Sequence, residues 1–437
     1  MSSANSLKDM DKLLKTMSMK KASALANKVK KDNQQILKLQ ENLILLKNEN
    51  TRLKKRLSEE RSDIILEIQK INETNGSGGI IDKILVSDLD INLKAEAILK
   101  IRNSPPTDLQ KNIQWIQYLL NIPFKRYKPL ILPKNKSVSE FLYDRYQVLD
   151  NSVYGLEKPK KQIIDFLSKL IRNPESKGNV IALQGCPGIG KTKLIKSGIS
   201  KALDRSFFVI NFGGIRDSTT LEGHDFTYVS SRFGRIVDCI IKAGYLNPVI
   251  YLDEIDKISE NHFEEISGVL THLLDEEQHS EFYDNYFQGI PIDLSKVLFV
   301  ISFNDFSKVS SIVNSRMKVI SLPNPSKNDK INIAKKFIIP EVISDIGLSD
   351  SDITFSDEIL ELILSKTEEE DGVRKFKRNL QTVIEKINTS NYICSNPNFQ
   401  TLYSYSETIS FPYTVSSSFV ETYLDNEINA SNLFYYT

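Results

Sequence analysis

The sequence Gly185-Cys186-Pro187-Gly188-Ile189-Gly190-Lys191-Thr192 joins an apolar segment, Asn179–Gln184, to a segment of helical character, Lys193–Leu203. A buried strand, a glycine-rich turn ending in Lys-Thr, and a helix form the context in which a phosphate-binding P-loop occurs. Glycines let backbone N–H groups surround phosphate oxygens, because no Cβ blocks their approach. The N-terminus of the following helix adds the positive end of its dipole. The stretch therefore predicts a nucleotide-binding P-loop.

A second strand-like segment ends in two carboxylates. Val249–Leu252 is apolar and is followed at once by Asp253 and Glu254. The Lys191 ammonium is expected to reach the β- and γ-phosphates, and the Thr192 hydroxyl and Asp253 are expected to hold Mg²⁺, which prefers oxygen ligands. Glu254 is the candidate that orients and deprotonates the attacking water. Together these residues predict Mg²⁺-dependent hydrolysis of a nucleoside triphosphate.

Length and composition limit the possible classes of protein. A chain of 437 residues has room for two or three domains, and its net charge of +1 gives no global preference for nucleic acid. Cys186, Cys239 and Cys394 show no metal-ligand spacing and cannot all pair, which favours a reducing compartment. No apolar run approaches the length of a membrane span, and the first residues show no signal sequence. We therefore expect a soluble cytoplasmic protein without membrane contacts.

The sequence pattern of the N-terminal region, residues 1–75, predicts a long helix. Its apolar positions alternate spacings of three and four, with Asn50 inside the heptad seam formed by Ile36, Leu39, Leu43, Leu46, Leu53 and Leu57. This pattern is typical of a coiled coil that mediates assembly or binds a partner. A single long helix that packs on its own protein fits the pattern equally well, and both interpretations stay open.

The next region, residues 76–150, is assigned to helices and a linker. It begins with the flexible sequence Asn75–Gly79, and helical patterns then cover residues 81 to about 122 with an interruption at Pro105-Pro106. A proline-containing connector at residues 125–136 leads to a further helix around Ser139–Leu149.

Strand and helix patterns alternate from residue 151 to residue 322. This alternation predicts an α/β domain with a parallel, doubly wound sheet and the P-loop at the carboxyl end of a strand. The predicted strands are Val180–Leu183, Phe207–Asn211, Val249–Leu252, Val297–Ser302 and Val319–Leu322.

A small helical domain is predicted at residues 323–400. Its three helices are Lys327–Phe337, Ser356–Ser365 and Gly372–Asn388. The remaining tail, residues 401–437, predicts a hairpin over Ser404–Val415 and a helix near Ser416–Leu424.

Several motifs in the same order resemble the ATPase module of Lon-type AAA+ proteases. Besides the P-loop, they are Phe212–Asp217, Gly223–Val229, Asp253–Lys257, Leu273–Gln278, Asp293–Phe299, Ser315–Ile320 and Gly372–Arg374, with Tyr118–Phe124 and Tyr154–Lys158 upstream. The resemblance covers about residues 90 to 390. It implies an AAA+ P-loop NTPase fold, ATP as the nucleotide, and a homo-oligomeric ring, expected to be a hexamer.

The resemblance also implies roles for single residues. Asn304 matches the sensor-1 residue that places water against the γ-phosphate, and Arg316 matches the arginine finger that reaches the ATP of a neighbouring subunit. Arg374 matches the sensor-2 arginine of the small domain. Tyr154 and Gly155 lie where the family packs the adenine, and the alternative is a tyrosine that belongs to the core.

Two loops match the segments that grip substrate in the pore of such rings. Tyr228-Val229 corresponds to the aromatic–aliphatic pair of the first pore loop, and the alternative is a buried Tyr-Val pair in a hairpin. Phe282–Gln288 falls at the second pore loop.

The chain departs from the Lon pattern in three respects. Cys186 replaces a common proline, and we hypothesise that its thiol makes the ATPase sensitive to oxidation. The long N-terminal helix stands where bacterial Lon has a large substrate-recognition domain. Too few residues follow Arg374 to form the Ser–Lys peptidase domain, so peptidase activity is not expected in this chain.

The sequence thus predicts an ATP-hydrolysing ring motor that unfolds, translocates or remodels polypeptides. The first alternative is the ATPase subunit of a two-chain, Lon-like serine protease with a separate peptidase partner. The second is a coiled-coil assembly scaffold controlled by ATP, which the presence of Glu254, Arg316 and Arg374 disfavours. A nucleic-acid partner is not expected, because no base-reading module is evident.

Overall fold

The central element of the fold is a five-stranded parallel sheet. The computed structural model describes Lys47, Thr51, Arg52, Lys55 and residues 79–176, 180–228, 230–393 and 409–424, so the predicted coiled coil and Cys394 lie outside the described residues. The strands of the sheet are β1 Val180–Gln184, β2 Phe207–Asn211, β3 Val249–Asp253, β6 Leu298–Phe303 and β7 Val319–Ser321. They lie in the order β2-β3-β6-β1-β7 across the sheet. The predicted parallel α/β sheet and all five of its strands are confirmed.

The central strands are apolar along their whole length because both faces of the sheet are covered. Every residue of β6 is buried, as are the first four residues of β3. In the register of the sheet Gln184 lies beside Phe303, and Asn211 lies beside Asp253. The strands therefore end together, and the loops that follow β1, β3 and β6 meet at one edge, where ligands bind in open parallel sheets.

Helices and short turns connect these strands. A π-helical turn, Leu194–Ile199, interrupts the helix after the P-loop between Lys191–Lys193 and Ser200–Leu203. The other helices of this part are Val138–Asp150, Glu157–Arg172, Thr219–Glu222, Arg235–Ala243, Phe263–Leu273 and Ser311–Asn314. The short strands β4 Phe282–Tyr283 and β5 Pro291–Ile292 form an antiparallel pair.

The chain divides into two compact units, residues 1–120 and 121–437. In the first unit, helices Ile80–Val86, Ile91–Arg102 and Leu109–Asn121 confirm the helical pattern and its interruption near Pro105-Pro106. Among the described residues, no helix is long and apolar enough to cross a membrane.

The helix that precedes the predicted boundary at residue 150 packs on residues that follow the boundary. The helix Val138–Asp150 begins at the capping residue Ser137, whose hydroxyl accepts a hydrogen bond from the Glu140 amide. Leu149 in this helix is fully buried in the apolar cluster that also contains Leu194 and Ile195 of the P-loop helix. This helix therefore packs against the P-loop helix and the sheet.

The small domain is a helical bundle with its own core. Its helices are Lys327–Ile333, a π-helical turn Ala334–Ile338, Ile339–Ile346, Asp357–Ser365 and Arg374–Ile393. The tail contributes to this core through Ile409, Val415, Phe419, Val420 and Leu424. Residues 417–424 are helical, as predicted.

The described part of the predicted hairpin has a different arrangement. Strand β9, Tyr413–Thr414, pairs in parallel with β8, Ile353–Thr354, of the small domain. Residues 404–408 lie outside the described part of the chain. Residues 409–424 thus pack in the core of the helical bundle.

His279 is a buried histidine whose ring makes no hydrogen bond of acceptable geometry to the described residues. The side chain is only 2% exposed and packs against the Phe299 ring. Burial lowers the pKa of His279 from its ordinary 6.5, because the charged ring would lose its hydration. The nearby backbone of Leu273 and neighbouring acidic groups oppose this shift only in part.

We expect this histidine to make the fold sensitive to acid. Because its pKa is lower in the folded chain, the unfolded chain binds more protons below pH 6.5. The free energy of unfolding should therefore be highest above pH 6.5 and should fall as the pH decreases toward the folded pKa. Urea denaturation at about pH 7.5 and about pH 5.5 measures this effect. Between these two pH values, the free energy of unfolding should fall less for His279→Phe than for the wild type. The exposed His224, changed to Gln, is the control, and equal losses in wild type and His279→Phe would contradict the expectation.

Candidate functional site

The P-loop backbone has the geometry that its glycines allow. Gly188 and Gly190 have φ values of +84° and +98°, which L side chains rarely adopt. A Cβ on Gly185 would lie 2.6 Å from the Ile189 side chain and 3.1 Å from that of Leu322. The loop is therefore shaped by close packing and left-handed turns, as a phosphate-binding loop requires.

Lys191 brings the P-loop and the end of β6 together. Its ammonium donates hydrogen bonds to the Gly185 carbonyl oxygen and, at 2.5 Å, to Oδ1 of Asn304. Burial lowers the pKa of Lys191, while the charges of Asp253 and Asp256 oppose this shift. The predicted sensor-1 residue thus lies at the P-loop lysine, although 113 positions separate the two residues in the chain.

The two carboxylates at the end of β3, Asp253 and Glu254, have different environments. Oδ1 of Asp253 accepts hydrogen bonds from the Tyr251 hydroxyl at 2.6 Å and from the Ser302 hydroxyl at 2.5 Å. Glu254 has φ +57°, a left-handed conformation that is costly for a residue with a side chain. Such strain concentrates at functional sites, where the surrounding structure must impose it.

The oxygen atoms at this edge fit a Mg²⁺ ion. The Tyr251 hydroxyl donates to Asp253 and lies near the Thr192 hydroxyl, so the two predicted metal-binding residues are close to one hydroxyl group. Mg²⁺ takes oxygen ligands and commonly uses one or two protein groups together with substrate phosphates. Thr192 and Asp253 are therefore suited to hold Mg²⁺ once a nucleotide supplies its phosphates.

Three residues of this site were not singled out from the sequence as functional. Tyr251 and Ser302 surround Asp253, and Asp256 supports the sensor loop: its Oδ2 accepts the backbone N–H groups of Asn304 and Asp305, each at 3.1 Å. Tyr251 interrupts an otherwise aliphatic strand two positions before Asp253, and this signal could have marked it.

We expect the loss of Asp256 to affect both stability and turnover. Asp256→Ala removes the acceptor of two backbone N–H groups and should lower the free energy of unfolding by about 1–3 kcal/mol. It should also slow ATP turnover, because Asn304 loses its support. Asp256→Asn keeps a carbonyl acceptor, so its free energy of unfolding and its rate of ATP turnover should fall less. Urea denaturation and steady-state ATPase assays measure these effects, with the exposed Asp165→Ala as control; equal stability of the two Ala variants would sink the assignment.

The small domain reaches the P-loop at the predicted sensor-2 segment. The Val373 amide donates a hydrogen bond to the Gly188 carbonyl oxygen at 3.3 Å. A Cβ on Gly188 would lie 3.2 Å from Cβ of Arg374. The structure thus places Arg374, at the start of the helix Arg374–Ile393, directly beside the phosphate-binding loop.

Arg316 contacts a different part of the chain. Its Nε and Nη2 donate hydrogen bonds to Oδ2 of Asp275 at 3.3 and 3.2 Å, and Nη1 donates to the Ile312 carbonyl oxygen at 3.1 Å. These partners lie outside the P-loop of the same chain. The role of Arg316 as a finger for a neighbouring subunit stays a prediction.

Tyr154 and Gly155 lie beside the small domain. The Asn332 amide donates a hydrogen bond to the Tyr154 hydroxyl at 3.2 Å, and the Lys336 ammonium lies 5.5 Å from the ring centroid. Gly155 has φ +61°. The two residues line a cavity with Asp150, Asn151, Asp329 and Lys336. Adenine binding at this cavity remains a prediction.

The two predicted pore loops differ from each other in the exposure of their aromatic side chains. Tyr228 is 66% exposed, whereas Val229 lies outside the described residues. In the second loop Tyr283 is 49% exposed, but Tyr286 and Phe287 are buried in an aromatic cluster. Only Tyr283 of these three rings is therefore available to a substrate chain.

Asp284 connects the second loop to the segment that follows the first. Its carboxylate accepts hydrogen bonds from the Gly234 amide at 2.8 Å and from the Tyr286 amide at 2.9 Å. Gln288 donates to Asp225 at 2.6 Å. Burial raises the pKa of Asp284 to about 7, although the backbone amides favour its ionised form. The two loops are thus joined by side-chain hydrogen bonds within one chain.

The environment of Cys186 argues against the oxidation hypothesis. Burial, together with the Asp371 carboxylate 3.5 Å from its sulfur, raises the pKa of the thiol. A higher pKa lowers the fraction of thiolate, which is the form that oxidants attack.

Comparison with known proteins agrees with this geometry. Residues 181–324 match the AAA family, described as "ATPase family associated with various cellular activities". A "Lon protease homolog" of Acanthamoeba polyphaga mimivirus is 38% identical over 291 residues, which are 66% of this chain and 28% of the relative. The "Lon protease" of Halothermothrix orenii is 38% identical over 260 residues, 59% of this chain and 33% of the relative. The "Lon protease" of Fusobacterium nucleatum is 33% identical over 313 residues, 70% of this chain and 40% of the relative. The chain therefore spans well under half the length of each of these relatives.

Proposed function

Because this chain carries an AAA+ ATPase module of the Lon type, we propose that it hydrolyses ATP and uses the energy to unfold, translocate or remodel polypeptides. One observation carries the proposal. Lys191, Asn304, Asp253 and Glu254 come from three separate loops and converge at the carboxyl edge of the parallel sheet. Such convergence of a phosphate-binding lysine, an amide and two carboxylates supplies the groups that hydrolysis of a γ-phosphate needs.

Each of these groups has a distinct task in the proposed reaction. The P-loop amides and Lys191 bind the β- and γ-phosphates, and Thr192 and Asp253 hold the Mg²⁺ that neutralises phosphate charge when bound. Glu254 accepts a proton from the attacking water, which Asn304 helps to place.

We propose that the motor is a homo-oligomer, most simply a hexameric ring. Arg316 then enters the site of a neighbouring subunit and stabilises the charge of the transition state. Arg374 senses the γ-phosphate of its own subunit, and the Val373–Gly188 hydrogen bond connects that event to the small domain. Tyr228 carries the resulting movement to a polypeptide in the pore.

The names of the relatives favour a second candidate function. These relatives are called Lon proteases, and the chain spans only 28–40% of their length. The alternative is an ATPase subunit that supplies unfolded chains to a peptidase. Release of peptides from casein by the purified chain alone would contradict the proposal of a motor without its own peptidase site.

Steady-state ATPase activity, with and without an unfolded polypeptide such as casein, tests the proposed function. We expect casein to stimulate the wild type, and Tyr228→Ala to keep basal activity but lose the stimulation. Tyr392→Ala is the matched control, because Tyr392 is also well exposed but lies at the end of the small-domain helix Arg374–Ile393.

If the wild-type chain bound ATP without hydrolysing it, the proposed motor function would be overturned. The assembly scaffold controlled by ATP would then be the remaining interpretation. Hydrolysis that casein does not change in either the wild type or Tyr228→Ala would instead reject only the polypeptide substrate.

A further inference from the structure

We propose that Tyr251 is a positioning residue that, together with Ser302, orients Asp253 toward the Mg²⁺ of a bound nucleotide. The inference rests on the proposed function in requiring that the site bind a Mg²⁺–nucleotide complex. It concerns this chain's own hydroxyl groups, which stand behind the carboxylate rather than at the reacting atoms.

Tyr251 is a fully buried side chain whose hydroxyl group forms hydrogen bonds. Its side chain is fully buried and packs in the same apolar cluster as Ile181, Leu194 and Val300. A phenylalanine or leucine would fill this core without placing an oxygen in it, and burying a hydroxyl is costly unless it is hydrogen-bonded. The hydroxyl meets this condition at the polar edge of the sheet, where it contacts Asp253, Ser302 and Thr192.

The hydrogen atoms can be assigned consistently across this group. The Ser302 hydroxyl donates to Oδ1 of Asp253 and accepts the Glu254 amide at 3.4 Å. The Tyr251 hydroxyl lies 2.6 Å from the same Oδ1 and 2.9 Å from the Ser302 hydroxyl oxygen. Its single proton goes to the carboxylate, the stronger acceptor, because the Ser302 oxygen already accepts the Glu254 amide. Both hydroxyl donors therefore occupy one oxygen of the carboxylate, and the other oxygen, Oδ2, is left for a metal ion or its bound water.

This arrangement determines the rotation of the carboxylate. The last torsion of an aspartate side chain has a broad energy minimum, so the strand alone does not set the direction of its two oxygens. Two donors on Oδ1 restrict this torsion angle to a smaller range. Because the Tyr251 ring is enclosed by the core, its hydroxyl is a rigid reference point, and Ser302 links the same oxygen to the strand β6 that precedes Asn304.

Calorimetric titration of ADP at increasing Mg²⁺ concentration tests the inference without using turnover. Outer hydrogen-bond partners of metal ligands contribute about 10- to 100-fold to metal affinity. For Tyr251→Phe we therefore expect the Mg²⁺ concentration for half-maximal enhancement of ADP binding to rise about tenfold. ADP affinity in EDTA should equal that of the wild type, because the P-loop is unchanged.

Matched variants separate positioning from packing. Tyr245→Phe removes a hydroxyl that contacts Ser206 at the opposite end of the sheet, and it should leave the Mg²⁺ dependence unchanged. Ser302→Ala should raise the Mg²⁺ concentration needed for half-maximal enhancement of ADP binding. Ser302→Thr, which keeps the hydroxyl, should need the same Mg²⁺ concentration as the wild type.

An unchanged Mg²⁺ requirement in Tyr251→Phe, beside clear Mg²⁺-dependent binding in the wild type, would overturn the inference and leave the proposed function intact. The same holds if Tyr245→Phe raises the requirement as much as Tyr251→Phe. If ADP binding by the wild type did not depend on Mg²⁺, both the positioning role of Tyr251 and the proposed function would be overturned. ATP hydrolysis that casein does not stimulate would reject only the action on polypeptides.

Discussion

Replacement of Glu254 by glutamine is expected to lower the ATP turnover number by at least about a hundredfold and to leave ATP and ADP binding unchanged. General base catalysis contributes about 10²- to 10⁴-fold, and an amide of the same shape cannot accept the proton of the attacking water. Binding should survive because the phosphates contact the P-loop, which this substitution does not touch.

The structure supports the choice of Glu254 over its neighbours. Asp253 is engaged by two hydroxyl donors through Oδ1, and Asp256 is buried while it accepts two backbone amides. Glu254 instead follows the end of β3 in a left-handed conformation that turns the chain at the catalytic edge. Within the part of the chain that the structure describes, the Glu254 carboxylate, unlike those of Asp253 and Asp256, accepts no hydrogen bond, so we expect it to be the one that acts on the attacking water.

Steady-state turnover and equilibrium nucleotide binding measure the two halves of this prediction. Glu264→Gln is the control, because Glu264 is exposed on the helix Phe263–Leu273 and carries the same chemical change. Turnover of Glu254→Gln within a factor of about two of the wild type would place the general base elsewhere.

Replacement of Gly372 by alanine is expected to disconnect the small domain from the P-loop. A Cβ at this position would overlap the Pro187 carbonyl oxygen and lie 2.9 Å from the carbonyl carbon of Gly188. Both are backbone atoms of the loop itself, so they cannot rotate away as the end of a side chain can. Overpacking of this kind costs about 1–3 kcal/mol.

We expect that cost to appear in nucleotide binding as well as in stability. To admit the Cβ, either the P-loop must deform or the segment that carries Val373 and Arg374 must withdraw. Each response removes contacts from the nucleotide site, so ADP affinity should fall about tenfold or more, since 1.4 kcal/mol corresponds to a factor of ten. Calorimetry with ADP and urea denaturation measure the two effects.

Gly214→Ala provides the control for this glycine. A Cβ on Gly214 would meet nothing within 4 Å, and neither Gly214 nor Gly372 has a positive φ. The two substitutions therefore differ in steric contact and not in backbone strain. If both variants bound ADP like the wild type, the close approach of Gly372 to the P-loop would be unimportant in solution.

Much of the fold was predictable because its signals are local. The strands are short apolar runs, and the P-loop is recognised from the spacing of glycines, lysine and threonine within eight consecutive residues. The alternation of strands and helices was sufficient to predict a parallel sheet. Since the carboxyl ends of parallel strands share one edge, it also placed Lys191, Asp253 and Asn304 near one another.

Other features could not be predicted because they depend on residues that are distant in the chain. The aromatic residues of the second predicted pore loop looked like substrate contacts, yet Tyr286 and Phe287 are buried against Phe226 and Phe233. The strand Tyr413–Thr414 suggested a local hairpin, but it pairs with Ile353–Thr354 some 60 residues earlier. Aromatic and β-branched residues favour burial and strands without specifying the partner.

The sequence by itself determined which residues can do the chemistry. A P-loop lysine, a strand that ends in Asp253-Glu254, and the order of the following motifs are written in consecutive residues, and their local geometry follows from backbone sterics. Only the tertiary structure decided which residues support them: Tyr251 and Ser302 at Asp253, Asp256 at Asn304, Gly372 at Pro187, and Asp275 at Arg316. The physical reason is that hydrogen bonds and steric contacts act over a few ångströms in space. Strand order and domain packing, and not distance along the chain, determine which atoms come that close.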